Sequence, residues 1–149
     1  MIKVADIMTS NPHTASVDTT LEQALLLCRE HKIRHLPVID QEQHLIGLVS
    51  ERTLLAAQES NISEMNQRQR RAHEQQVLLK DIMLTKLHTV DAEAGVGQAA
   101  KHIEQYRIGC LPVVKNRKLI GIITDTDFVG VAISLLDILA EQEPYDSDL

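Results

Sequence analysis

Two runs decide how this chain folds: His35-Leu36-Pro37-Val38-Ile39 and, past the polar turn Asp40-Gln41-Glu42-Gln43, Leu45-Ile46-Gly47-Leu48-Val49-Ser50. Both are short, apolar and rich in β-branched residues, and two such runs around a polar turn read as a hairpin. The passage returns as Cys110-Leu111-Pro112-Val113-Val114 and Leu119-Ile120-Gly121-Ile122-Ile123-Thr124. The hairpin therefore belongs to an internal repeat, and a repeat governs the architecture. A shift of 75 residues sets Asp6-Ile7-Met8 on Asp81-Ile82-Met83, His13-Thr14 on His88-Thr89, Gln23-Ala24 on Gln98-Ala99, Ile33 on Ile108 and Leu36-Pro37-Val38 on Leu111-Pro112-Val113, 11 identities between residues 6 and 39. Past the hairpin turn the shift is 74, a one-residue deletion of the kind turns tolerate.

Outward from the first hairpin, Thr14 to Val17 reads as a short extended piece. Thr19 with Glu22 three residues on predicts a capping box opening a helix with apolar Leu21, Ala24, Leu25 and Cys28 that ends near His31. A second helix follows from Glu51. The second copy repeats this order through Thr89, a helix from Val96 to Gln105, the second hairpin and a helix from Asp125. The fold class is α/β (α+β), two β-α-β-β-α repeats. The boundaries are residues 1–58 for the first, 59–78 for a polar linker, 79–140 for the second and 141–149 for an acidic tail. The linker lacks Gly and Pro and is rich in Gln, Glu and Arg, which favours a helix with Arg68, Arg70 and Arg71 on a solvated face.

Composition removes several function classes. The chain has 149 residues and a net charge of −6, from 15 Lys and Arg against 21 Asp and Glu. That balance argues against a protein that grips nucleic acid by neutralising phosphates. The aromatics are Tyr106, Phe128 and Tyr145, too few for base-stacking platforms or a membrane belt, so a planar ligand has to be held by aliphatic side chains. No apolar run reaches the length of a spanning helix, and the start lacks the apolar core of a signal peptide. Cys28 and Cys110 stand alone in apolar stretches without ligand spacing, as in a reducing compartment. A cytoplasmic protein is expected.

Together the two copies resemble a tandem pair of cystathionine-β-synthase (CBS) domains, often called a Bateman module. The landmarks are the opening segments Val4-Ala5-Asp6-Ile7-Met8-Thr9 and Lys80-Asp81-Ile82-Met83, the Leu-Pro-Val strands, and the ends Gly47-Leu48-Val49-Ser50-Glu51-Arg52-Thr53 and Gly121-Ile122-Ile123-Thr124-Asp125-Thr126-Asp127. The resemblance implies two repeats stacked about a pseudo-twofold axis, with adenosine-containing ligands in two clefts between them. AMP, ADP, ATP and S-adenosylmethionine are the candidates, and no covalently bound cofactor is implied.

The segment Gly121 to Asp127 ends a strand and opens a helix. Backbone N–H groups there, with the Thr124 and Thr126 hydroxyls, suit a phosphate, and an ionised Asp can accept from two vicinal ribose hydroxyls. On the residues alone, Asp125 and Asp127 could equally be helix caps. The resemblance assigns Asp127 to ribose, and carries the base pocket to Met8, Pro12, His13, Ile33, Arg34 and His35. The family's basic pair in the second copy is replaced by Gly109-Cys110, which leaves the number of phosphates open. In the other cleft Thr53 stands where the family has its ribose-binding Asp. A weaker or empty second site is expected there, around Ser50, Arg52, Thr53, Met83, His88 and Ile108.

No catalytic residue is expected, since neither a nucleophile elbow nor a phosphate-binding loop of the GxxxxGK type is present. No metal site is expected either, because the i, i+4 pair His31 and His35 lacks a third ligand. His13 and His88 hold equivalent positions and are expected to line the clefts. The last helix carries Phe128, Val129, Val131, Ala132, Ile133, Leu135, Leu136, Ile138 and Leu139 on more than one face, a surplus that asks for a partner. The expectation is a homodimeric, stand-alone regulatory module that acts on an effector protein in trans. The alternative is a structural or interaction dimer with vestigial clefts.

Overall fold

The computed structural model describes residues 1–59 and 66–142. It opens with α1 (Val4–Ile7) and β1 (Thr9–Ser10), then runs through α2 (Leu21–His31), the hairpin β2 (His35–Ile39) and β3 (Leu45–Ser50), and α3 (Glu51–Glu59). α4 (Gln67–Glu74) and α5 (Leu79–Ile82) lead into β4 (Val90–Asp91), α6 (Val96–Tyr106), the hairpin β5 (Cys110–Lys115) and β6 (Lys118–Thr124), and α7 (Asp125–Gln142). This is the mixed α/β architecture expected from the repeat.

The capping box of α2 lies one residue later than Thr19 and Glu22. Thr20 accepts from the Gln23 N–H at 3.1 Å, and Gln23 returns the bond to the Thr20 N–H at 3.0 Å. Thr19 is committed elsewhere: its carbonyl accepts from Leu79 N–H and its hydroxyl from Ser16 N–H. Both α2 and α6 stop at a basic residue in the left-handed region, Lys32 at φ 53° and Arg107 at φ 51°. The extended piece at Thr14 to Val17 is reduced to one parallel bridge, Ala15 to Val38. In the linker the helix spans only Gln67–Glu74. There Arg71 reaches Glu22 of α2 and the half-exposed Gln58 bonds the buried Glu74, so its face is docked rather than fully solvated. Residues 60–65 of the linker and 143–149 of the tail lie outside the described residues.

The opening segments cross over between the repeats. β1 pairs with β6 through Thr9 and Ile122 in the sheet ordered β1-β6-β5-β4, and Val4 is buried with Leu111, Val113 and Ile123. Symmetrically, Leu84 bridges Leu48 of β3, and Leu79 is buried with Leu36, Val38 and Leu54. Each repeat's core is completed by the segment that precedes the other repeat's first long helix. The hairpin turns interlock as well: Leu45 N–H donates to the Arg117 carbonyl and Leu119 N–H to that of Gln43, both at 3.1 Å. These pairs obey the 74-residue offset, so a twofold pseudo-axis runs between the turns.

The crossover explains two glycines. A methyl group built on Gly121 would lie 2.5 Å from Met8 Sδ and 3.0 Å from the Thr9 carbonyl oxygen. On Gly47 it would lie 2.4 Å from Met83 Sδ. Each strand thus leaves a notch for the methionine of the crossing segment. Gly121→Ala is expected to cost about 1–3 kcal/mol through overpacking against backbone, and Gly47→Ala less, since only the flexible Met83 must move. Chemical denaturation of both variants checks the order.

Candidate functional site

At the end of β6 the chain turns directly into α7, and Asp127, three residues past Thr124, folds back on it. Its Oδ2 accepts from the Thr124 N–H at 2.8 Å and from the Thr124 hydroxyl at 3.2 Å. One carboxylate oxygen therefore does cap the helix. The other accepts no hydrogen bond among the described residues. At the matching turn of the first repeat the direction is reversed: Ser50 Oγ accepts from the Thr53 N–H at 3.2 Å, and the two hydroxyls lie 3.0 Å apart. The two helix starts use opposite halves of a capping box.

Three cavities follow one another across the pseudo-axis. The first, of about 520 Å³, is lined by Pro12, His13, Ile33, Arg34, His35, Thr124, Thr126 and Asp127, joined by Thr9, Ser10, Asn11 and Lys32. Eight of the nine residues expected at the primary site meet here, drawn from both repeats. Met8 does not. Its side chain, at the end of α1 just before β1 pairs with β6, is turned into the notch of Gly121 and packs on the second core. Another cavity, of about 360 Å³, is lined by Ser50, Thr53, Met83, His88 and Ile108, which are five of the six residues of the expected second site. Arg52 is the exception. One step round α3 from Thr53, it lines the middle cavity instead.

The middle cavity, of about 760 Å³, brings together Arg34, Arg52 and Arg107 with Glu51 and Asp125. Arg107 escaped the sequence reading, although it aligns with Lys32 in the repeat and both cap a helix in the left-handed region. Arg34 joins the repeats: its Nη2 donates to Thr126 Oγ1 at 2.9 Å and lies 3.5 Å from Asp125 Oδ1. His35 borders all three cavities. Burial pushes its pKa below the usual imidazole value, Asp125 opposing and Arg34 assisting. Gly109 explains how the ring fits, since a methyl group there would sit 2.9 Å from His35 Cε1. The missing basic residue at 109 thus makes room for the imidazole from the other repeat.

Four of the other histidines, His13, His31, His88 and His102, make ring contacts. His13 stacks on His31 with ring centroids 3.7 Å apart, and His88 stacks on Tyr106 at 4.4 Å, a pair related by the same 75-residue offset. His88 also meets His102, nitrogen to nitrogen, at 3.1 Å. Among the described residues no three His, Cys, Asp or Glu side chains converge as metal ligands, and no helix is long and apolar enough to cross a membrane. Cys28 and Cys110 are buried and unbridged, and burial lifts their thiols to about 11 and about 12.

Comparison with known proteins gives a consistent picture. The CBS domain family model matches twice, at residues 4–60 and 79–134. A solved Vibrio cholerae protein assigned to acetoin utilization, AcuB, is 42% identical and superposes with a TM-score of 0.79, covering 97% of this chain and 99% of that one. CBSX2 of Arabidopsis thaliana, solved in complex with AMP, is 30% identical with a TM-score of 0.75, covering 91% and 99%. A CBS domain-containing protein of Dictyostelium discoideum is 30% identical over 137 residues, 91% of this chain and 94% of its own. Other curated relatives are longer, and the chain spans 21% to 31% of three of them.

Proposed function

The chain belongs to the CBS-domain family, and from that premise we propose that it is a regulatory module that binds an adenosine-containing ligand between its repeats and passes the signal to a partner protein. The observation that carries this reading is the first cavity. It sets Asp127, with one carboxylate oxygen uncommitted, and the Thr124 and Thr126 hydroxyls from one repeat against the aliphatic and imidazole groups Pro12, Ile33 and His13 from the other. A carboxylate suits a ribose diol, the aliphatic walls suit a flat base, and Arg34 suits a phosphate. AMP in CBSX2 supports the ligand class. The likeness to AcuB directs the search for the partner towards acetoin metabolism. In this reading the chain forms a homodimer and performs no chemistry, so incubation with ATP and Mg²⁺ leaves both unchanged.

A thermal-shift panel tests it with AMP, ADP, ATP, S-adenosylmethionine and guanine nucleotides. A ligand at 100 times its Kd adds about 2.7 kcal/mol to native stability. A rise with at least one adenosine compound and none with guanine nucleotides is expected. No rise with any compound favours the second reading, an interaction dimer with vestigial clefts. The observations behind that alternative are Thr53, whose hydroxyl faces Ser50 where a carboxylate would face ribose, and Arg34, already engaged by Asp125 and Thr126.

The lowered pKa of His35 gives the apo protein a defined pH dependence. Below the ordinary value of 6.5 the unfolded chain takes up a proton that the buried ring resists. Stability is therefore fully present above pH 6.5 and falls as the pH drops below it. His35→Gln is expected to flatten that part of the Tm against pH profile, and an unchanged slope would show that the ring does not carry it.

A further inference from the structure

His88 and His102 bring ring nitrogens together beside the cavity of about 360 Å³. His88 lies between α5 and β4 and lines that cavity with Thr53, Met83 and Ile108. His102 comes from α6. That helix packs Ala99 and Ile103 on the second core, and the adjacent row, His102 with Tyr106 one turn on, runs beside the packed face. His88 Nδ1 and His102 Nε2 stand 3.1 Å apart. Tyr106 braces both rings, with centroids 4.4 Å from His88 and 4.7 Å from His102.

The separation suits two arrangements. In one, a neutral ring donates a hydrogen bond and the other accepts it. In the other, both rings hold one metal ion. Nitrogens about 2.0–2.1 Å from a metal stand about 2.9 Å apart at a right angle and about 3.3 Å apart at the tetrahedral angle. The observed 3.1 Å lies between them. The ring directions agree. A nitrogen lone pair lies in the plane of its ring, and the planes of His88 and His102 cross at 68°, so one point can lie in both. The first repeat supplies a contrast. His13 and His31 stack at 15°, so their lone pairs run in nearly parallel planes and no single ion can take both. Leu27 stands there where the second repeat has His102.

Neutral imidazole suits Zn²⁺, Ni²⁺ and Cu²⁺, whereas Mg²⁺ and Ca²⁺ take oxygen ligands. Two protein donors are fewer than the three or four that hold a resident zinc, so water fills the remaining positions and the ion exchanges freely. We infer that His88 and His102 chelate one late first-row divalent metal ion, Cu²⁺ more tightly than Zn²⁺, at the rim of this cavity. The ion takes Nδ1 of His88 and Nε2 of His102. The proton shared by the pair moves, through water, to the other nitrogen of the ring that carried it, so two neutral rings bind the metal with no net proton release. The ion brings positive charge to a cavity whose helix start offers only the neutral Thr53 and Ser50. Its binding needs no nucleotide, so a failed metal titration leaves the adenosine proposal untouched.

Titration calorimetry of the full chain, freed of metal by a chelator, tests this with Zn²⁺, Cu²⁺ and Mg²⁺. One equivalent of Zn²⁺ or Cu²⁺ is expected to bind, and no Mg²⁺. Losing even an outer-shell partner of a metal ligand weakens affinity by about 10–100-fold, so His88→Ala and His102→Leu are each expected to weaken binding by at least about tenfold. Leucine repeats what the first repeat carries at this place and so keeps α6 packed. His31→Ala is expected to bind metal as the wild type does. Imidazole ¹⁵N resonances give a readout that a merely structural role would not move: Zn²⁺ is expected to shift Nδ1 of His88 and Nε2 of His102. A wild-type chain that takes up neither ion overturns the inference. So does a loss confined to one of the two variants, which describes a single-histidine site. Binding that survives in both variants, or that His31→Ala removes, places the metal elsewhere and overturns it as well.

Discussion

Replacing Asp127 with alanine is expected to weaken adenosine-ligand binding by about 10- to 150-fold. The estimate follows from hydrogen bonds to a charged group, which contribute roughly 1.5–3 kcal/mol net, a tenfold change in affinity needing about 1.4 kcal/mol. The carboxylate has a second task. Its Oδ2 accepts from the Thr124 N–H at 2.8 Å, and losing a helix cap costs about 0.5–2 kcal/mol of stability. Binding and stability must therefore be measured on the same sample. Asp127→Asn separates the tasks, because the amide oxygen can still cap while the negative charge is gone, and it is expected to keep most of the Tm but lose much of the affinity. Thr53→Ala is expected to change affinity little, since its hydroxyl is spent on Ser50. Thr53→Asp places a carboxylate at the matching turn and is expected to create or strengthen binding in the cavity of Met83, His88 and Ile108. Titration calorimetry on the four variants decides. If Asp127→Ala is folded and binds the wild-type ligand equally well, the ribose anchor lies elsewhere.

The repeat was legible because the hairpins are nearly self-sufficient units. Leu-Pro-Val paired with Gly47-Leu48-Val49, and in the second copy with Gly121-Ile122-Ile123, fixes the strand faces and turn locally, and identities 75 residues apart place the second copy. The crossover was not legible. Asp6-Ile7-Met8 and Asp81-Ile82-Met83 are identical, so either segment could complete either core, and only packing sets Met8 on Gly121 and Met83 on Gly47. That choice turns Met8 away from the first cavity. Arg52 was misplaced for a simpler reason, that adjacent helix positions point about 100° apart. The cap of α2 moved because Thr19 and Thr20 both satisfy the capping pattern and Thr19 is drawn to Leu79 across the crossover. Gly109 is the instructive case. Read as a lost phosphate contact, it is also the space that His35 occupies, which no single-repeat comparison could reveal.

Leu36→Ala and Leu111→Ala are expected to destabilise the protein by about 2–5 kcal/mol each, a large part of the roughly 5–15 kcal/mol that holds a domain folded. The two leucines are equivalent in the repeat, and both are fully buried. They lie in different clusters, Leu36 with Leu21, Val38, Leu54 and Leu79, Leu111 with Val4, Val113 and Ile123. Were the repeats independent, each change would lower only its own transition. The crossover argues otherwise, because Leu79 of the segment leading to the second repeat completes the first core, and Val4 of the segment leading to the first completes the second. Opening either core releases the segment that orders the other, so each variant is expected to shift one shared transition, with circular dichroism and thiol exposure at Cys28 and Cys110 changing together. Cys28 lies in the first core, and Cys110 is buried on β5 of the second repeat, paired with Thr124 of β6. If in Leu111→Ala the Cys110 thiol becomes reactive at a lower denaturant concentration while Cys28 keeps its wild-type midpoint, the repeats unfold separately and the crossover does not couple them. A loss under about 1 kcal/mol in either variant would show instead that the site collapses around the cavity, which close-packed cores on this scale rarely do.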